Sequence, residues 1–173
     1  MAKYMGSRLV IGMDRAEHAV RYSVSRHRRT NLAYCAGDAE ALPFADARFD
    51  VVVNIESSHC YGSMVTFLRE VRRVLRPGGA FGWADVRDTH ERAALDAAFR
   101  EAALPPELTE DITANVLASL DQTNGRKMAV MRRAVPRPLI PLMLQFAGVP
   151  GSNIYEEFAR GTKQYLHYAC RKA

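Results

Sequence analysis

Asp14 follows the apolar run Leu9-Val10-Ile11-Gly12-Met13, and Asp38 follows Leu32-Ala33-Tyr34-Cys35 after a short break at Gly37. A carboxylate just beyond a buried strand can accept both hydroxyl hydrogens of a ribose, as in doubly wound nucleotide-binding folds. Asp14 can equally cap the helix that follows it. Another window, Asn54-Ile55-Glu56-Ser57-Ser58-His59-Cys60-Tyr61, puts an amide, a carboxylate and an imidazole behind a third apolar run. Histidine titrates near neutral pH, so His59 is the residue type suited to take a proton from a hydroxyl. Glu56 can orient that imidazole or act as the base itself. The plainer alternative is that His59 caps a loop while Tyr61 packs. Asp85 ends one more apolar run, Ala80 to Ala84. Tyr155 and Tyr165 suit packing better than ligand binding.

These side chains need a scaffold that brings several strand ends to one edge. Strands are expected at Leu9–Met13, Leu32–Cys35, Phe49–Asn54 and Ala80–Ala84. The run Val51-Val52-Val53 suits burial on both faces, as in a parallel sheet. Helices are expected over Ala16–His27 and Met64–Leu75. In the second, Val65, Leu68, Val71 and Leu75 recur at three- and four-residue spacings, and Pro77-Gly78-Gly79 stops it. The alternation predicts right-handed βαβ crossovers. The fold class is therefore α/β, a doubly wound, mostly parallel sheet with helices on both faces. Further on, helices are expected at Glu91–Ala102 and Val116–Arg133 and a strand at Leu108–Thr113. The prolines of Val135–Pro141 should break any regular element. Phe146–Ser152 reads as a turn, and Lys163–Cys170 as a terminal antiparallel strand. One domain, residues 1–173, is expected, with residues 86–160 able to form a substrate lid within it.

The composition narrows the partners. The chain has 173 residues, 48% of them hydrophobic, and a net charge of +5. No apolar run approaches the ~20 residues that span a bilayer. Met1–Arg8 lacks a signal-peptide core, so a cytoplasmic location is expected. Cys35, Cys60 and Cys170 are scattered and form no CxxC pair, which points away from disulfides and from a metal site. The basic run Arg26-His27-Arg28-Arg29 suits a solvated helix end better than an anion site. No aromatic interleaving of the kind a nucleic-acid groove uses accompanies it.

Gly37-Asp38-Ala39-Glu40-Ala41-Leu42-Pro43-Phe44, with Phe49-Asp50-Val51-Val52 beyond it, resembles the adenine-reading segment of class I S-adenosylmethionine-dependent methyltransferases. Leu75-Arg76-Pro77-Gly78-Gly79 resembles the stretch those enzymes carry before their fifth strand. The resemblance implies S-adenosylmethionine as cofactor. It implies Asp38 and Ala39 at adenine, with Asp38 accepting from the exocyclic amine, Asp14 at the ribose, and Asn54 beside the methionine end. The Asn54–Tyr61 window is similar to that of actinobacterial methyltransferases acting on lipid hydroxyls, as is Phe146–Ser152 with Tyr155, Gly161 and Tyr165. Phthiotriol and phenolphthiotriol dimycocerosate methyltransferases are the type it resembles, with sterol-type methyltransferases further off. The reaction so implied is O-methylation of a hydroxyl on a hydrophobic, lipid-type substrate, with His59 and Glu56 as catalytic candidates. Peripheral contact with a membrane is compatible with such a substrate.

Family members begin with a strand that runs into a glycine-rich loop, whose bare backbone approaches the cofactor. Nothing like GxGxG occurs here, and Gly6 and Gly12 stand alone. The expectation is an N-terminally truncated domain, short of a strand–loop–helix unit of roughly 30 residues or more. The strand Leu9–Met13 should then lie at an exposed edge. Two functions compete: an active methyltransferase, and an inactive methyltransferase remnant or partner-binding domain without catalysis. A nicotinamide dehydrogenase fits poorly, because it too needs a glycine fingerprint.

Overall fold

A computed structural model of the chain describes residues 2–3, 6–144 and 148–173. Among the described residues six strands form: β1 (Val10–Asp14), β2 (Leu32–Ala36), β3 (Phe49–Ile55), β4 (Leu75–Asp88), β5 (Pro106–Asp111) and β6 (Lys163–Arg171). The helices are α1 (Glu17–Arg26), α2 (Met64–Val74), α3 (Arg92–Glu101), α4 (Thr113–Ala134), α5 (Ile140–Leu144) and α6 (Asn153–Ala159).

The strands are mixed in direction and fall into two groups. β1 and β2 pair in parallel, and β3-β4-β6-β5 make a separate four-stranded sheet. There β3 runs parallel to β4, while β6 is antiparallel to both β4 and β5. Among the described residues no strand pairs with the second edge of β1 or of β3. Backbone alternation tells which groups those edges leave open. Val10 N–H donates to Asn31 O and Glu56 N–H to Ala84 O. The even-numbered residues of β1 and β3 therefore bond to β2 and β4, and Ile11, Met13, Val51, Val53 and Ile55 turn their backbone groups toward the open edges.

The core lies on one face of the larger sheet. Helix α2 buries Phe67, Leu68, Val71 and Val74, and α3 buries Leu95, Ala98 and Phe99. They close over Phe81 and Trp83 of β4 and Leu166 and Tyr168 of β6. Trp83, Phe99 and Tyr168 form a ring triangle with centroids 5.0–5.9 Å apart. Ser63 starts α2 by accepting from Thr66 N–H at 3.2 Å, an N-cap that satisfies one otherwise unpaired donor. By contrast α1 buries no residue fully. Gly12 is needed in β1 because a side chain there would meet the ring of its ladder partner Tyr34 at 2.7 Å.

Several expectations are corrected. The valine run is not buried on both faces: Val52 packs on the core, whereas Val51, Val53 and Ile55 are 47%, 42% and 61% exposed. The strand expected at Ala80–Ala84 is longer: α2 ends at Val74, and β4 begins directly at Leu75 and runs through Pro77-Gly78-Gly79 to Asp88. Asp85 accordingly sits inside its strand, and Asn54, expected to end β3, is followed there by Ile55. The proline-rich stretch carries a short 3-10 turn, Arg137–Leu139, and helix α5. Pro141 falls in the first turn of α5, where a missing N–H breaks no bond. Helix α6 was not anticipated. Of the expected turn at Phe146–Ser152, Phe146 and Ala147 lie outside the described residues.

Candidate functional site

The gap between the two sheets is a cleft of about 1010 Å³, lined on one side by β1 and on the other by β3. Asp14, Ala39, Asn54, Glu56, Ser57 and Tyr61 all reach it. Asp14 closes β1 and its Oδ1 accepts from Ala16 N–H at 2.8 Å, which shapes the turn into α1. Asp38 does not line the cleft; its Oδ1 accepts from Glu40 N–H at 2.9 Å in a tight turn that presents Ala39 there instead. Asn54 Nδ2 donates to Tyr61 Oη at 2.8 Å, and the same oxygen lies 2.8 Å from Ser57 Oγ. Asn54 Oδ1 is buried without a hydrogen-bond partner. A buried acceptor of this kind calls for a donor, and Asn54 is among the residues that line the cleft.

The loop bearing Asp38 and Ala39 is fastened to α2 by Arg73. Its guanidinium donates to Phe44 O at 2.7 Å and Leu42 O at 2.9 Å, and to Glu70 at 2.7 and 2.8 Å. Glu70 in turn accepts from Leu42 N–H at 2.7 Å. The Arg73 bond holds the Glu70 carboxyl below its ordinary value, against the opposing effect of partial burial. Arg73→Leu is expected to destabilise the protein by about 1–3 kcal/mol and to speed amide exchange at Leu42. A depressed carboxylate contributes stability above its unfolded pKa and loses it as pH falls through the folded value. The gap between wild type and variant should therefore narrow in acid, as urea titrations at several pH values would show.

His59 does not line the cleft wall and sits on the 3-10 turn Ser58–Cys60 beside it. The carboxylate that holds its ring is Asp85, not Glu56: His59 Nδ1 lies 2.8 Å from Asp85 Oδ1. Asp85 is wholly buried and also accepts from Ser58 Oγ at 2.7 Å and from the backbone N–H groups of His59 and Val86, both at 2.9 Å. Arg87 stands 3.2 Å from it and donates to Ser58 Oγ at 2.7 Å, while Trp83 Nε1 donates to the same oxygen at 2.8 Å. Burial pushes the Asp85 carboxyl up, but the bonds from Ser58 and His59 and the Arg87 charge outweigh it, and it stays below the usual aspartate range. An ionised acceptor at Nδ1 places the ring proton there and leaves Nε2 with its lone pair. Glu56 is exposed, adopts the left-handed backbone with φ 49°, and stands beside the phenol of Tyr165. Burial first and the Glu56 charge second push that phenol up. Elsewhere, Asp88, His90 and Glu91 bring candidate ligand atoms within 4.8 Å of one another, but Asp88 is taken by Lys163 at 2.6 Å.

The Asp85 network is what sequence reasoning missed as a unit. Asp85 had been singled out only as a polar residue at a strand end. The spacing Trp83–Asp85 on one strand, with Ser58-His59 after another, was the available signal.

Comparison with known proteins fits this geometry. The family described as "Methyltransferase domain" matches residues 1–82. The phthiotriol/phenolphthiotriol dimycocerosates methyltransferase of Mycobacterium tuberculosis is 37% identical over 161 residues, 93% of this chain and 60% of that protein. The fatty-acid O-methyltransferase of Mycolicibacterium smegmatis is 32% identical over 157 residues, 91% of this chain and 57% of that protein. The chain thus spans about 60% of the length of the curated relatives it matches. Among solved structures, phosphoethanolamine N-methyltransferase 2 of Haemonchus contortus, in complex with S-adenosyl-L-methionine, superposes with a TM-score of 0.77 at 13% identity, covering 94% of this chain and 43% of that one. Geranyl diphosphate C-methyltransferase of Streptomyces coelicolor gives 0.67 at 17% identity, covering 98% and 64%. The chain thus matches a methyltransferase family over residues 1–82 and shares the Rossmann-like fold of solved methyltransferases.

Proposed function

We propose that this chain forms the cofactor- and acceptor-binding part of a methyltransferase that transfers a methyl group to a hydroxyl of a hydrophobic, lipid-type substrate. The observation that carries the reading is the cleft between β1 and β3, to whose lining Asp14, Ala39, Asn54 and Glu56 all contribute. These residues fit S-adenosylmethionine. Asp14 can accept from ribose hydroxyls, Ala39 offers a small apolar surface to adenine with Asp38 behind it, and the unpaired Asn54 Oδ1 can accept from the ammonium of the methionine end. When bound, the cofactor supplies an electrophilic methyl group on a sulfonium. His59 Nε2 takes the proton of the acceptor hydroxyl, Asp85 holds the ring in the tautomer this requires, and Glu56 assists at the rim. Of residues 86–160, α3 and β5 belong to the core and the sheet, and the stretch from α4 to α5 serves as a lid for an apolar acceptor. Val130, Leu139 and Met143 in that region are 59%, 49% and 46% exposed, which suits contact with a lipid tail. Among the described residues no helix is long and apolar enough to cross a membrane.

The open edges of β1 and β3 favour a second reading, a partner-binding domain without catalysis of its own. Calorimetric titration with S-adenosylmethionine separates the two. Saturable binding is expected for the first, and Asp14→Ala should weaken it by about 1–3 kcal/mol through lost hydrogen bonds. Absence of binding would favour the second. Unchanged affinity in the variant would remove Asp14 from the site.

A further inference from the structure

The positive charge of the chain is concentrated in one place. Residues 122–155 hold Arg126, Lys127, Arg132, Arg133 and Arg137, and none of the 19 Asp and Glu residues. Those five cations equal the whole net charge of +5, so the rest of the chain is electrically balanced. A field gathered on one stretch of an otherwise neutral chain attracts an anionic partner to that stretch. It covers the second half of α4 and runs on through the 3-10 turn Arg137–Leu139 into α5.

The fold leaves this charge on the surface. Helix α4 is 22 residues long and buries none of its residues fully. Its first half is tied to the rest of the molecule: Thr113 Oγ1 accepts from Tyr165 N–H at 2.8 Å, and Asp121 accepts from Tyr155 Oη at 2.9 Å. In the second half Arg126, Arg132 and Arg133 are exposed. Val130 comes four residues after Arg126 and three before Arg133, so the bare valine shares a stripe of the helix with both cations. Leu139 and Met143, four residues apart, are bare as well. Exposed aliphatic side chains among arginines suit an anionic bilayer, where headgroup phosphates take the cations and the acyl boundary takes the apolar groups. A single-stranded nucleic acid would meet the cations alone, since residues 122–144 contain no aromatic side chain on which a base could stack.

We propose that the second half of α4 and the stretch through α5 dock on an anionic membrane surface. Arg126, Arg132 and Arg133 reach the headgroup phosphates, and Val130, Leu139 and Met143 enter the boundary beneath them. The proposal extends the reading of a lipid-type acceptor by placing the chain where such an acceptor resides, but it rests on the charge distribution and not on the cleft.

The test is flotation of the 173-residue chain with two kinds of vesicle, one of phosphatidylcholine alone and one of phosphatidylcholine mixed with phosphatidylserine. The chain is expected to float with the mixed vesicles only, and to be released as salt rises. Arg126→Gln, Arg132→Gln and Arg133→Gln together should weaken flotation by roughly 10–100-fold. Arg26→Gln, Arg28→Gln and Arg29→Gln together remove the same charge from arginines that are equally exposed, and should leave flotation unchanged. Circular dichroism confirms that both variants are folded. Leu139→Trp gives a second readout should the first variant not fold: its emission should shift to the blue with the mixed vesicles and not with the neutral ones. No flotation, equal flotation with both vesicles, an equal loss in the two triple variants, or an unshifted emission would each overturn the proposal. So would tighter capture of a single-stranded oligonucleotide or of polyglutamate than of the mixed vesicles. No S-adenosylmethionine is present, so failure here leaves the methyl-transfer reading standing, and absence of cofactor binding leaves this proposal standing.

Discussion

Asp85→Ala is expected to destabilise the protein by about 3–5 kcal/mol, because it removes one partner of a buried ion pair and leaves the other uncompensated. Arg87 would keep its charge in a site where its side chain is only 10% exposed. Ser58 Oγ would lose its acceptor, and the backbone N–H groups of His59 and Val86 would lose theirs. Some charge would remain balanced by the face of Trp83, whose ring centre is 5.2 Å from the guanidinium. Urea unfolding followed by circular dichroism measures the effect, and a loss under about 1 kcal/mol would mean that water replaces the carboxylate at little penalty. The pH dependence gives an independent check. The Asp85 carboxyl lies below its ordinary value when folded, so its contribution is complete above the unfolded aspartate pKa and fades as pH falls through the folded one. Wild type and variant should converge in acid and separate toward neutrality.

The largest kinetic effect is expected at His59. In a form that turns over, His59→Ala should lower kcat by ~10²–10⁴-fold, the usual contribution of a positioned proton acceptor, while leaving affinity for S-adenosylmethionine nearly unchanged. The ring side chain is 42% exposed, so the substitution should affect stability far less than Asp85→Ala does. Asp85→Asn separates base from holder. It keeps the shape of the buried site but no longer presents an ionised acceptor to Nδ1, so it should depress kcat and alter the pH–rate profile. The form to assay is the chain extended by a strand and glycine-rich turn, with labelled cofactor and a long-chain diol lipid. The 173-residue chain alone is expected to run ~100-fold or more slower, because a reacting group misplaced by about 1 Å loses that much. Equal rates in the two forms would show that the cleft holds the cofactor unaided, and full activity in His59→Ala would hand the base role to another group.

What could be read from the sequence followed from local signals. Apolar spacing marked α2, and the β-branched run marked β3, because periodicity reflects which side of an element is buried. The same run misled about burial on both faces. Valine density reports strand propensity, but whether a second layer covers the strand depends on packing that local sequence does not encode. The end of β4 was misplaced because Asp85 looks like a strand terminus. Only the buried set of Ser58, Arg87 and Trp83 makes a carboxylate tolerable inside it. Glu56 was offered, on proximity in sequence, as able to orient His59 or to act itself. The residue that orients the ring comes from the neighbouring parallel strand, a partner no spacing rule reveals. Helix α6 stayed hidden because it is short and follows Gly148, Pro150 and Gly151, which read as turn.

The strand order of the larger sheet has a consequence for how the chain is made. β6, the last strand among the described residues, lies between β4 and β5, and among those residues β5 pairs with no other strand. As the polypeptide leaves the ribosome, β5 must therefore wait without a ladder partner until Lys163–Arg171 has emerged. Through that interval Trp83, Phe99 and Leu104 have no Tyr168 or Leu166 to close over them. A nascent chain in this state offers apolar strands to chaperones and to other chains alike, and synthesis halted shortly before residue 171 would leave the middle of the sheet empty.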